Sequence, residues 1–217
     1  MVCQHQISFC INSILTIKLM KIGIIGAGGI GLAFAKHAAR AGYNVLISNS
    51  RGPKSLTDAV EQLGGNTKAV TVEEAAQADI VFISLPWTRL EAAIAGWPSF
   101  DGRIVIDPMN AFTPDFKPVD LQGKTSSEVV ASWLPGAKVV KAFNTLPLAL
   151  LEADPHEAGG SRVIAYSGDD TDAKKTVGEL IAKMGFAGLD LGGLIAGGIL
   201  QSFATGPFPM LNLIKLG

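Results

Sequence analysis

The residues in this chain with the clearest capacity for chemistry are glycines. Gly26-Ala27-Gly28-Gly29-Ile30-Gly31 has the spacing G-x-G-x-x-G, follows the apolar run Lys21–Ile25 directly, and leads into an alanine-rich stretch of helical character. Between a strand and a helix this spacing suits a diphosphate. Gly26 makes the tight turn, Gly28 lets the backbone approach a pyrophosphate, and Gly31 lets the helix pack closely on the strand. The start of the helix then offers free N–H groups and a partial positive charge to the phosphates.

At the end of the next strand a site for NAD places an Asp or Glu against the ribose 2′-hydroxyl, about 20 residues beyond the glycines. Here the chain reads Ser48-Asn49-Ser50-Arg51-Gly52-Pro53-Lys54, with no carboxylate. The Ser50 hydroxyl, the planar fork of Arg51 and the charge of Lys54 suit a 2′-phosphate, so the expected cofactor is NADP(H). Three further segments follow expected strands: Leu85-Pro86-Trp87, Asp107-Pro108-Met109-Asn110 and Ala142-Phe143-Asn144-Thr145. At the carboxyl edge of a doubly wound sheet, Leu85 and Pro86 would flank the adenosine half of the cofactor. Asn110, Ala142 and Asn144 would lie nearer the nicotinamide. Pro and Asn are also ordinary turn formers, and all three segments can be read as turns alone.

No catalytic acid or base stands out, and no metal ligands. Of the three histidines, His5 lies in the opening segment, His37 is expected on the solvent face of the first helix beside Lys36 and Arg40, and His156 follows an acidic loop. None has the spacing of a metal site or a nucleophile and base pair. Direct hydride exchange between two redox molecules, in which positioning does most of the catalysis, is therefore favoured over alcohol dehydrogenation.

The elements that must hold these residues alternate. Strands are expected at 21–25, 44–48, 69–70, 80–84, 104–107, 138–142, 163–167 and 188–190. Helices are expected at 30–41, 53–63, 72–78, 89–95, 127–133, 146–153 and 172–184. Pro53 suits a first helical position, and Thr71 with Glu74 forms a capping-box pattern. The 217 residues, 48% hydrophobic and 7% aromatic, suit parallel strands buried on both faces. The expected fold is thus a Rossmann-type, doubly wound α/β domain over 20–217 with a mostly parallel sheet. It ends in a short glycine-rich tail at about 191–217, where the acceptor would bind, and a Pro-containing loop at 110–124 is inserted after the fifth strand. Residues 1–19 carry both cysteines, Cys3 and Cys10, and read as an upstream extension, because Met20 opens the first strand naturally. A formal charge of −1 gives no global attraction to nucleic acid or an anionic membrane, and no membrane span is expected. The expected location is cytoplasmic.

Over nearly everything after Leu19 the chain resembles the coenzyme F420-dependent NADP oxidoreductases. The resemblance rests on 22–31, on Ser48-Asn49-Ser50-Arg51-Gly52-Pro53, on Lys138-Val139-Val140-Lys141-Ala142-Phe143-Asn144-Thr145-Leu146, and on Asp190-Leu191-Gly192-Gly193-Leu194 followed by Ala196-Gly197-Gly198. It implies pyrophosphate contacts from Ala27 to Ile30, the 2′-phosphate at Ser50 and Arg51, and the nicotinamide near Ala142. It further implies a deazaflavin over the exposed nicotinamide face, against the tail, in a homodimer. The tail departs from the family pattern at Pro207-Phe208-Pro209-Met210-Leu211-Asn212, and with it the acceptor stays open between coenzyme F420 and a flavin such as FMN or FAD. The same cofactor half would also serve a metal reductase, or a non-catalytic redox sensor that binds NADP(H). The short chain after Asp190 argues against an imine or hydroxyacid dehydrogenase with an added helical domain.

Overall fold

The computed structural model describes residues 20–97 and 99–217. The expected extension at 1–19 lies outside the described residues.

Six strands run parallel: β1 (Lys21–Ile25), β2 (Asn44–Ser48), β3 (Thr67–Ala69), β4 (Ile80–Ile83), β5 (Ile104–Asp107) and β6 (Lys138–Ala142). Their spatial order, β3-β2-β1-β4-β5-β6, reverses direction between β1 and β4 and so defines the switch point of a Rossmann sheet. Beyond β6 the sheet continues with β8 (Gly160–Gly168), which runs antiparallel to it. Three short strands pair with β8: β7 (His156–Glu157), β9 (Ala187–Asp190) and β10 (Ile214–Leu216). The expected strand at 163–167 is longer in the structure, and β7 and β10 are additions to the sequence reading. Both are two or three residues long, too short to show a period.

Alternation along the strands sorts side chains onto two helical layers. From β4, Ile80 and Phe82 join one core, while Val81 and Ile83 join the other. The first core is closed by α1 (Gly29–Arg40), α6 (Leu148–Glu152) and α7 (Thr171–Lys183). The second is closed by α3 (Val72–Ala75), α4 (Trp87–Ile94), α5 (Ser126–Trp133) and α8 (Leu194–Leu200). The expected helix at 53–63 divides into a 3₁₀ turn, Pro53–Leu56, with Pro at its start, and α2 (Thr57–Leu63). Thr71 and Glu74 make the reciprocal capping bonds their spacing suggests, and Thr125 with Glu128 makes a second set.

His37 corrects the sequence reading. It is 3% exposed, its Nε2 lies 2.7 Å from the Leu151 carbonyl oxygen, and its ring stands edge-on to Phe186. It ties α1 to α6, where the sequence predicts a solvent-facing residue. Burial pushes its pKa below 6.5, against the upward pull of the Leu151 carbonyl. The unfolded chain then binds a proton that the folded chain refuses. Stability is therefore full above about pH 6.5 and falls as pH drops through that value toward the lower folded one. Urea unfolding from pH 7.5 down to 5.5 should show this decline, with a shallower slope in His37→Gln. Parallel slopes would remove His37 as the cause.

The tail is more than an appendage. After β9 it forms α8, whose Gly197 lies so close to β8 that an added Cβ would come within 2.2 Å of the Ser167 Cβ. The chain then returns as β10 along β8, where Arg162, 3% exposed, pairs with Glu157 and Asn212.

Candidate functional site

The carboxyl ends of β1, β2, β4, β5 and β6 lie along one edge of the sheet, which brings together the glycine turn, the 48–54 segment and the three segments that follow β4, β5 and β6. The glycine turn comes first. Gly26 has φ +108, and a Cβ on it would meet the Ser84 carbonyl oxygen at 1.9 Å. A Cβ on Gly31 would lie 2.0 Å from the Gly26 carbonyl oxygen. Both glycines are thus required by the fold itself. Gly28 is different: its φ is −84, and a Cβ on it would meet nothing within 4 Å. The protein makes no demand for glycine there, and the space over it is open.

The N-terminus of α1 agrees. Gly28 offers no side-chain cap, and the first turn holds no acidic residue. The starts of α3, α5 and α7 are capped by Thr71, Thr125 and Asp170, each with a carboxylate in the first turn. The N–H groups and partial positive charge of α1 are left without a side-chain cap or an acidic residue of its own first turn, an arrangement that can hold an anion. Ala27 and Ile30 are half-buried beside the exposed Gly28 and Gly29. The Leu148 side chain of α6 lies over Gly29, a neighbour that sequence spacing could not reveal.

At the end of β2, the Asn49 side chain accepts from the Arg51 N–H and binds Ser55, fixing the turn. Ser50, Arg51 and Lys54 stand exposed on it, and among the described residues no carboxylate holds either cation. Leu85 borders Gly26, and Pro86 is exposed ahead of α4. Such a group fits a dinucleotide bearing a 2′-phosphate: a cradle at Gly28, a bare helix start, and two free cations beyond β2.

The far end of the edge is built differently. Ala142 is fully buried and its methyl belongs to the core. Phe143 has φ +65, rare for a bulky residue and costing about 1–3 kcal/mol. Edge contacts to Phe34, Phe82 and Phe186 hold its ring in place. This turn aims Asn144 into a buried amide network. Asn144 Nδ2 donates to Asn110 Oδ1 at 3.0 Å and to the Gln201 carbonyl at 2.9 Å, and its Oδ1 accepts from Gln201 Nε2 at 3.1 Å. The Asn144 amide is thereby fully committed within the protein, joining the ends of β5 and β6 to the tail. Gln201, fully buried, is the partner the sequence did not disclose.

Beside Asn110 opens a cavity of about 290 Å³ between the 110–124 loop, the start of α5 and the end of α8. Phe112, Val119, Leu121, Ile199 and Phe203 give it apolar walls, and Asn110, Ser126 and Ser202 give it polar ones. Under it, on the α5 face, Asp107 and Lys141 are cross-strand partners of β5 and β6. Both are buried. Lys141 Nζ donates to the Met109 carbonyl at 3.0 Å and to Ser126 Oγ at 2.9 Å, and lies 3.7 Å from Asp107 Oδ2. Asp107 accepts from the Met109 N–H and the Ser127 hydroxyl. Burial pushes the Lys141 ammonium down and the Asp107 carboxylate pulls it back up.

Sheet order, switch point and phosphate-ready turn define an α/β protein of the Rossmann dinucleotide-binding class. Within that class, the profile of the family described as NADP oxidoreductase, coenzyme F420-dependent, matches residues 21–111, so this part of the chain carries that family's domain. A hypothetical protein from Sinorhizobium meliloti, SMa0349, superposes with a TM-score of 0.84 at 46% identity, covering 90% of this chain and 95% of that one. A protein from Arthrobacter sp. FB24, described as a candidate F420-dependent NADP-reductase, superposes with a TM-score of 0.70 at 25% identity, over 81% of this chain and 86% of that one. Metalloreductase STEAP3 of Rattus norvegicus is 30% identical over 176 residues, which is 80% of this chain and 34% of the relative. The chain spans about a third of the length of the curated relatives it matches. Among the described residues, no helix is long and apolar enough to cross a membrane.

Proposed function

We propose that the protein binds NADPH along this edge and passes a hydride to a planar acceptor, the deazaflavin coenzyme F420, seated in the cavity beside Asn110. The observation that carries this reading is the shared position of Asn110. Its amide belongs to the network at the end of β6, where the nicotinamide is expected, and it also lines the cavity walled by the 110–124 loop and the tail. A donor on one side of Asn110 and a flat acceptor on the other would be neighbours, and proximity is most of what hydride exchange needs.

The cofactor supplies the hydride. The chain's own residues bind and orient: the α1 N-terminus and the glycine turn hold the pyrophosphate, Ser50, Arg51 and Lys54 the 2′-phosphate, and Leu85 and Pro86 the adenosine side. The network of Asn110, Asn144 and Gln201 keeps the cavity wall in register with the nicotinamide end. We further propose a homodimer in the cytoplasm, which light scattering of the purified chain and localisation in the host would check.

Arg51→Ala should weaken NADPH by about 10- to 100-fold, the worth of charge-assisted hydrogen bonds, and leave NADH nearly unchanged. Equal losses for both nucleotides in fluorescence titrations would overturn the 2′-phosphate assignment. The activity itself is tested by rapid mixing of protein and NADPH with coenzyme F420 or with FMN. Bleaching of the deazaflavin matched by NADPH oxidation supports the proposal. Turnover of FMN alone favours a flavin reductase, and the 30% identity with a metalloreductase lends weight to the metal-reductase alternative. Tight NADPH binding without transfer to either acceptor favours a redox sensor.

A further inference from the structure

The buried lysine under the cavity has no part in the function argued so far. Lys141 carries donor hydrogens, and one of them points at Ser126 Oγ, 2.9 Å away. Ser126 is half-buried and lines the cavity. On the other side, Asp107 is the carboxylate facing the ammonium, itself held by the Met109 N–H and the Ser127 hydroxyl. The order from the core outward is therefore carboxylate, ammonium, hydroxyl, cavity. Such a chain can move a proton toward whatever the cavity holds. An isolated structural pair would end inside the core.

A hydride acceptor of the flavin or deazaflavin type needs that proton. The hydride brings two electrons to the central ring, and the electron pair displaced onto the fused pyrimidine ring makes a ring nitrogen basic. We propose that Ser126 is the catalytic acid that protonates this nitrogen, and that Lys141, acting through Ser126, is the positioning and recharging group. The balance is complete. The bond from Ser126 Oγ to hydrogen breaks as the ring N–H bond forms, and Lys141 Nζ gives a proton to Ser126 in the same movement. The oxidised nicotinamide carries away the positive charge, and neutral Lys141 regains its proton from cavity water through Ser126 once the product has left. Burial disfavours the ammonium and so eases that transfer, while the facing Asp107 carboxylate pulls the other way and favours the charged form. The step rests on the hydride-transfer reading above, and it applies equally to coenzyme F420 and to FMN.

The test uses the whole chain with NADPH, each acceptor in turn, and the variants Ser126→Ala and Ser126→Thr. Ser126→Ala should slow acceptor reduction by about 100-fold, a usual worth of general acid catalysis, with NADPH and acceptor affinities unchanged. Added imidazolium should restore the rate in proportion to its concentration, and Ser126→Thr should retain it. A second readout needs no turnover. In lysine labelled with ¹⁵N, the unliganded protein should show one exchange-protected ammonium resonance near pH 7, lost in Lys141→Arg and shifted in Ser126→Ala. A neutral Lys141 amine at that pH, or a wild-type rate in Ser126→Ala, overturns the proton path while leaving hydride transfer standing. A wild-type protein that reduces neither acceptor overturns the function and the path together.

Discussion

Gly28→Val should leave the fold intact and abolish useful NADPH binding, whereas Gly31→Ala should damage the fold itself. The two substitutions lie three residues apart in one turn, yet the structure separates them. At Gly28 the backbone is extended, φ −84 and ψ −174, a conformation any residue adopts, and an added side chain projects into open space. The unliganded protein should therefore unfold at an unchanged urea midpoint. In the proposed complex that space would hold the pyrophosphate, so a branched side chain excludes it, and a loss of at least 100-fold, about 2.7 kcal/mol, is expected in a fluorescence titration. At Gly31 the added Cβ would lie 2.0 Å from the Gly26 carbonyl oxygen, backbone that cannot swing aside. Helix α1 must then lift from β1, at a cost of about 1–3 kcal/mol for overpacking before any ligand is added. Normal NADPH affinity in Gly28→Val would mean that the glycine turn is structural throughout, and the proposed function would lose its cofactor site.

The parts legible in the sequence are those written in local patterns. Strand β1, the glycine turn and α1 follow one another without interruption, and β2, β5 and β6 fall where their apolar runs predict. The missing acid after β2 is equally local, because one short segment, 48–54, contains both the absence and the two cations. The rest depends on contacts between distant segments. His37 reads as solvated because Lys36 and Arg40 flank it, but α6 lies against that side of α1, and a helix only five residues long gives little amphipathic signal of its own. Gln201 sits 57 positions from Asn144, in a stretch whose glycines suggest a loose tail. Those glycines instead permit close packing: Gly197 on Ser167, and Gly198 beside Thr125 at the start of α5. The cavity is made where this tail meets the 110–124 loop, so neither half could announce it alone.

Lys141 shows the same limit most sharply and carries the other large expected effect. A lysine within Val139-Val140-Lys141-Ala142 could be read as an edge or surface residue until its register opposite Asp107 is known. Alternation along β6 sends Val140 and Ala142 to one core and Lys141 to the other, where α5 covers it. Lys141→Met should cost about 3–5 kcal/mol, because it leaves the Asp107 carboxylate buried without its counter-charge. That is a large share of a stability typically about 5–15 kcal/mol. The double variant Lys141→Met, Asp107→Asn should recover more than half of the loss, since the amide is neutral and its oxygen can still accept from the Met109 N–H. Urea midpoints of the two variants and the wild type measure both terms. A double variant no more stable than Lys141→Met would assign the cost to lost packing and to the unpaired Met109 carbonyl. A recovery would identify the carboxylate as the reason the lysine must be there. The same cation joins the end of β5, through Met109, to the start of α5, through Ser126, and these elements form two walls of the cavity. In the recovered double variant the fold returns without that link, so protease cleavage within the 110–124 loop should stay faster than in the wild type even where global stability is matched.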